Sequence, residues 1–312
     1  MFEYEPVLSK NPVVVKFLSL ILIIFFSTFL TFFVGILMAI PFYGTDVLDI
    51  LTNGTDLEGE GEINLLKFLQ LVSQIGVFIL PSLVFAWLSY GNIEKSLTLD
   101  KFPSYRTFIM TGLLVFAMLP GIHLLIQFNE GLQLPEFLQG VETWMKEKEN
   151  KALRLTEEFL NTTSIGGLVI NLLMIGILAA IGEELLFRAV LIRLLQEWIK
   201  NKHLAVILSA ILFSAFHLQF FGFIPRFVLG LMFGYLFIWS GSVWLPIAAH
   251  FVNNASAVIV TFFAKKGVIY TNAEDFGTID SLPLLIASVV LTVALISGIF
   301  LREKQILSHN QQ

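Results

Sequence analysis

Three charged residues, Glu183, Glu184 and Arg188, interrupt a stretch over 170–199 that is otherwise almost wholly Leu, Ile, Val, Ala, Met, Phe and Gly. Charges at that depth in a bilayer are costly, so they pair, face a cavity or serve a reaction. Glu184 and Arg188 stand four apart with the acid first, the favourable order for a pair on one helix face. Glu183 points about 100° further round a helix of 3.6 residues per turn. It has no partner in its own helix, so it must take up a proton or find a partner on another. Downstream, His217 closes Phe213-Ser214-Ala215-Phe216-His217, and His250 and Asn254 stand four apart in another apolar run. A carboxylate, two imidazoles and an amide suit general acid–base chemistry and the stabilisation of an oxyanion. Each signal has a plain alternative. A lone membrane histidine serves well as an interhelical hydrogen-bonding residue, and an i,i+4 polar pair also joins helices.

Many long helices are needed to carry these groups. The 312-residue chain is 56% hydrophobic and only 14% charged, against about 25% charged in soluble domains. Apolar runs of transmembrane length recur throughout, which defines an all-α, polytopic helix bundle. Eight spans are expected, at about 13–41, 65–88, 107–128, 167–199, 204–221, 224–239, 243–264 and 284–301. The fourth would be about 48 Å long at 1.5 Å per residue. It must tilt, protrude or break, with Gly182 the weak point. A net charge of −5 without a basic cluster argues against nucleic acid as a partner. The chain has no cysteine, which removes disulfides, thiolate metal sites, a cysteine nucleophile and prenylation of the chain itself.

Segment 43–63 carries Asp46, Asp49, Asp56, Glu58, Glu60 and Glu62 and no basic residue, whereas Lys95, Lys101, Arg106, Lys200 and Lys202 cluster in other turns. The positive-inside rule then places both termini in the cytoplasm of a multi-pass protein of the cell (inner or plasma) membrane, with Lys265 and Lys266 on the wrong side. Between spans three and four, 135–160 mixes Phe137, Leu138, Val141, Trp144 and Phe159 with acids and lysines. It reads as an amphipathic helix at the interface or over a cavity mouth, or as a solvated linker. The expected organisation is one membrane domain over 1–312, a chemical core over 165–260 and an extramembrane or interfacial segment over 129–163. His123 stands alone and reads as structural. Arg193 and Arg226 lie near span ends, where long side chains snorkel.

The set Glu183-Glu184-x-x-x-Arg188, Phe213-x-x-x-His217 and His250-x-x-x-Asn254 resembles the CPBP intramembrane protease family, which includes the type II CAAX prenyl endopeptidases and the bacterial Abi proteins. The linking pattern Arg226-Phe227-Val228-Leu229-Gly230-Leu231 and Gly241-Ser242-Val243-Trp244-Leu245-Pro246-Ile247 is similar too. The resemblance is specific over about 180–256 and only compositional before 165. It implies an endopeptidase acting on a membrane-associated peptide, prenylated or otherwise lipophilic, within the bilayer. Glu183 would activate water with help from His217. His250 and Asn254 would polarise the scissile carbonyl and hold the oxyanion, with Glu184 and Arg188 as support.

The family is commonly described as metalloproteases, so zinc is a candidate cofactor, held by Glu183, His217 and His250 with one position open to water. If all three ligate, the obvious base is consumed. There is no His-Glu-x-x-His and no Gly-x-Ser-x-Gly, and all six aspartates fall in expected loops, which leaves no intramembrane aspartyl pair. Two other functions fit the same residues. One is a non-enzymatic immunity or scaffold protein of this fold, and the other a proton-coupled transporter with a Glu and His relay.

Overall fold

The computed structural model describes residues 5–44, 47–48, 59–132, 134–270, 276–279 and 281–309. The chain is all-helical, with no strand among the described residues. Helix α1 is Val13–Tyr43. Helix α2 joins Glu60–Gln74 to Leu80–Tyr90 through a π-helical stretch, Ile75–Ile79. A single turn, α3 (Ile93–Ser96), leads to α4 (Tyr105–Glu130) and the amphipathic α5 (Gln139–Leu160). Then follow α6 (Ile165–Ile199), α7 (Lys202–Phe216), α8 (Phe223–Ser240), α9 (Trp244–Lys265) and α10 (Leu282–His309).

Seven of these helices are long and apolar enough to cross a membrane. The expected fifth span, 204–221, is present but shorter than expected. Its helix α7 ends at Phe216 after 15 residues, about 22 Å at 1.5 Å per residue, short of a bilayer core of roughly 30 Å. The apolar run continues past that point, but Leu218 turns left-handed (φ 52°) and the chain folds back into α8. The acidic stretch expected outside lies mostly beyond the described residues, as do all the aspartates except Asp100, which sits in a turn.

α6 runs unbroken through Gly182. Two π-helical stretches, Leu172–Leu178 and Leu185–Ile192, flank that glycine. Gly182 serves close packing instead of a break: a β-carbon there would lie 2.9 Å from Phe78 Cβ of α2. Each wide turn frees backbone carbonyls, which in an apolar medium need donors. Neighbouring helices supply them. Ser27 Oγ donates to Gly76 O (2.7 Å), Asn254 Nδ2 to Ile175 O (2.9 Å) and Ser209 Oγ to Phe187 O (2.8 Å).

The core lies where α6 meets α2, α7, α8 and α9, and includes Phe85, Leu185, Ile192, Leu194, Phe213, Phe233 and Leu236. α1 and α10 stand at the outside and present Phe25, Phe26, Phe29, Val289 and Val290 outward. That is expected where lipid is as apolar as the core and no hydrophobic drive separates the two faces. Polar ties fix helix registers across the bundle. Thr107 Oγ1 donates to Glu303 Oε1 (2.6 Å), and Lys16 Nζ to Glu197 Oε1 (2.7 Å).

Candidate active site

Arg188 is fully buried, with Nη1 donating to Glu184 Oε1 (3.1 Å), Nε 3.0 Å from Oε2, and Nη2 donating to Gly230 O of α8 (3.2 Å). Its guanidinium lies 4.4 Å from the ring centre of Phe213 and 5.3 Å from that of Phe233. Charge, hydrogen bonds and aromatic faces together replace the water this ion has lost. The expected pair is thus present and closes into a three-helix knot.

His250 joins that knot from α9. Its Nδ1 lies 2.8 Å from Glu184 Oε1, and its ring stacks on Phe233 with centres 4.9 Å apart and planes at 17°. A carboxylate oxygen accepts, so Nδ1 carries the hydrogen and Nε2 is left to face the site. Nε2 lies 3.9 Å from Glu183 Oε2. Glu183 is 7% exposed, and that oxygen has no hydrogen-bond partner among the described residues. The two adjacent carboxylates therefore meet one imidazole from opposite sides: Glu184 holds it, and Glu183 faces its free nitrogen.

His217 is the residue that caps the end of α7. Its Nδ1 lies 2.9 Å from Phe213 O, which can only accept, so Nε2 is again the free nitrogen. The Phe213 ring touches both imidazoles, with centres 5.2 Å from His217 and 5.9 Å from His250. The turn that follows His217 is pinned from several directions. Asn129, at the end of α4, donates Nδ2–H to Phe220 O (2.9 Å) and accepts Ile224 N–H (3.0 Å). Glu149 of α5 accepts Phe221 N–H at 2.8 Å, and Ser214 Oγ donates to Phe223 O at 2.6 Å. Arg226 does not snorkel: it folds back on Gln219, donating to its carbonyl oxygen (3.4 Å) and its side-chain oxygen. Gly222 makes room, since a β-carbon there would lie 2.2 Å from Arg226 Nη1.

α5 therefore packs over this turn. Trp144 meets the Phe220 ring at 5.5 Å, and Lys146 lies 5.9 Å from the ring centre of Phe221. Asn254 is placed less centrally than its spacing from His250 suggested. One N–H goes to Ile175 O, two turns before Glu183, and Oδ1 accepts from Asn253 Nδ2 (3.1 Å). Its second amide hydrogen has no partner among the described residues. His123 pairs with Gln127 of its own helix (2.9 Å), in line with a structural part.

No group of three His, Cys, Asp or Glu side chains that could hold a metal ion occurs among the described residues. Glu183, His217 and His250 are thus not assembled as a three-ligand zinc centre. Sequence reasoning also passed over Asn129, Glu149 and Phe233. Asn129 followed by Glu130 read only as the end of a span, and Glu149 was one acid among many in an amphipathic stretch. Phe213 stood in the motif without a part to play.

A buried carboxylate and imidazole pair inside a bundle of helices long and apolar enough to cross a membrane defines a class: a multi-pass membrane protein with a polar site inside its helix bundle. The family model described as type II CAAX prenyl endopeptidase Rce1-like matches residues 165–256, the segment that carries all three motifs. Comparison with the curated proteins and with solved structures returned no match.

Proposed function

We propose that the protein is an intramembrane endopeptidase that hydrolyses a peptide bond of a membrane-associated, lipophilic or prenylated peptide. The observation that carries this reading is the unpartnered Glu183 Oε2, buried 3.9 Å from a histidine nitrogen whose ring is oriented from behind by a second carboxylate. A free carboxylate beside an oriented imidazole is what water activation requires. The match of 165–256 to a family of type II CAAX prenyl endopeptidases supports the same reaction class.

In the proposed mechanism Glu183 takes a proton from water as the oxygen attacks the scissile carbonyl carbon, and the carbonyl π electrons move to oxygen. His217, through its free Nε2, helps to place that water. The second amide hydrogen of Asn254 is donated to the oxyanion, and His250 joins it by donating from Nε2 once that nitrogen has taken up a proton. Collapse of the tetrahedral intermediate breaks the C–N bond, and Glu183 returns its proton to the leaving amine. Glu184 and Arg188 act as positioning residues that hold the His250 ring. No step passes through a metal.

The test is incubation of the purified protein with a library of membrane-associated peptides that includes prenylated C-terminal tails, read by mass spectrometry. Product is expected from the wild type and not from Glu183→Gln. Equal product from both would overturn the assignment of the base. Residue-dependent ion flux without peptide product would point to transport instead, and a biological effect indifferent to Glu183→Gln and His217→Ala would point to a scaffold.

A further inference from the structure

At the opposite end of the bundle from the His217 turn, a cavity of about 530 Å³ is lined by Arg193, Gln196, Lys200, Lys202, Phe237 and Ile238, with Gly241 at its edge. Three of the lining residues are cations and none is an acid. Lys101 borders the same place, for a β-carbon on Gly241 would lie 3.8 Å from its Nζ. Lys200 and Lys202 make no ion pair with any described residue. Glu197, one helical turn beyond Arg193, is already taken by Lys16 at 2.7 Å. Among the described residues, no acid therefore forms an ion pair with either lysine of the cavity.

The cavity is also partly built. Arg193 is fixed by donating Nη1–H to Ser96 O (2.5 Å), with its guanidinium 5.1 Å from the ring centre of Tyr90. That uses one of five guanidinium N–H groups and leaves others for a ligand. Lys200 is held in a left-handed conformation (φ 59°) where α6 ends, and Lys202 opens α7. Phe237 and Ile238 give one apolar wall. Tyr235 and Trp239 pack nearby with ring centres 5.2 Å apart and planes tilted by 34°, and Trp198 is 57% exposed. Aromatic residues of this kind mark the level of lipid headgroups, and basic pockets between membrane helices at that level suit anionic headgroups.

We propose that this cavity binds the phosphate of an anionic phospholipid, with Lys200, Lys202 and Arg193 on the phosphate oxygens and the Phe237 and Ile238 wall against the glycerol and first acyl carbons. The apolar wall favours a lipid over free phosphate, which would gain nothing from it. This site is separate from Glu183 and its neighbours and does not depend on the peptidase reading.

The experiment is native mass spectrometry of the full chain released from phosphatidylcholine nanodiscs containing a minority of phosphatidylglycerol. It compares the wild type with Lys200→Gln/Lys202→Gln and with Lys10→Gln/Lys95→Gln, which removes two lysines from the same end. Thermal unfolding in detergent, unchanged between the three proteins, establishes that each is folded. The wild type and the Lys10/Lys95 variant are expected to retain phosphatidylglycerol. The Lys200/Lys202 variant should bind it about ten- to thirty-fold more weakly, since each basic residue near the surface contributes about 1 kcal/mol. Restoring the charge with Lys200→Arg/Lys202→Arg should restore binding. Equal loss in both glutamine variants would overturn the proposal in favour of diffuse surface charge. Displacement of the lipid by millimolar inorganic phosphate would overturn it in favour of a small-anion site.

Discussion

Two histidines face the candidate site, and they are held in opposite ways. His250 sits inside the bundle, its ring stacked on Phe233 and its Nδ1 tied to the buried Glu184 and Arg188 pair. His217 sits on a turn beyond the end of a short helix, half-buried, and its turn is fastened by side chains from α4, α5 and α8. One is fixed by the core of the segment 165–256 that matches the family. The other depends on Asn129 and Glu149, which lie outside it. The contrast teaches that a membrane site can be built half from rigid buried electrostatics and half from a clasp.

The largest expected effect falls on neither histidine but on the carboxylate between them and the reaction. Glu183→Gln keeps the shape and removes the base, and should lower peptide hydrolysis by about 10²- to 10⁴-fold, measured as product formed per unit of folded enzyme. On the core side, Arg188→Ala leaves Glu184 buried without its cation and should destabilise the protein by roughly 3–5 kcal/mol. Unfolding in detergent micelles checks this. The double change Glu184→Gln/Arg188→Met removes both charges and should recover most of the lost stability while leaving activity low, because His250 then lacks its carboxylate. A double variant no more stable than Arg188→Ala would mean that the pair is not what fixes the knot.

On the clasp side the effects should be smaller and should appear in turnover. Asn129→Ala removes two hydrogen bonds to the turn, each worth about 1 kcal/mol. It should lower kcat roughly ten- to thirty-fold with a smaller change in KM, and leave the Glu184 and Arg188 knot intact. Glu149→Ala loses the acceptor for Phe221 N–H and should lower kcat about five- to tenfold, whereas Glu149→Gln retains an amide oxygen there and should remain within about twofold of the wild type. Equal loss in Glu149→Ala and Glu149→Gln would show that the charge matters and the hydrogen bond does not.

The same contrast explains what the amino-acid order disclosed. The membrane helices were legible because lipid asks only for long apolar runs, and α1, α4 and α9 lie close to their expected places. The pairing of Glu184 with Arg188 was legible because it is local to one helix. The end of α7 was not, since Leu218, Phe220 and Phe221 continue the apolar run and only the backbone turn at Leu218 stops the helix. Nor could spacing assign His250 to either glutamate. Adjacent carboxylates lie on different faces, and the choice depends on how α9 packs against a helix widened by π turns. Asn129 and Glu149 act across long sequence separations, where periodicity says nothing about partners.

The mildest test concerns the outer side of the clasp. Glu142, half-buried on α5, accepts Lys146 Nζ–H at 2.6 Å and Leu134 N–H at 3.2 Å. Those contacts, Lys146 first, hold its carboxyl below the usual carboxylate range. A group depressed in the folded state contributes order that is complete above its unfolded value and lost as pH falls through the folded one. The entry to α5 should therefore be fully held at neutral pH and loosen only below the ordinary carboxylate range. Backbone protection at Leu134, read by hydrogen exchange corrected for intrinsic rate, should drop in that acid window for the wild type. In Glu142→Gln it should be lower already at neutral pH and flat across the window. Because Glu142 stands one turn from Lys146, and Lys146 lies against Phe221, a protection change that spread from Leu134 to the Phe221 amide would show that α5 and the His217 turn move as one unit. Loss confined to Leu134 would show that Glu149 holds the turn independently of how α5 begins.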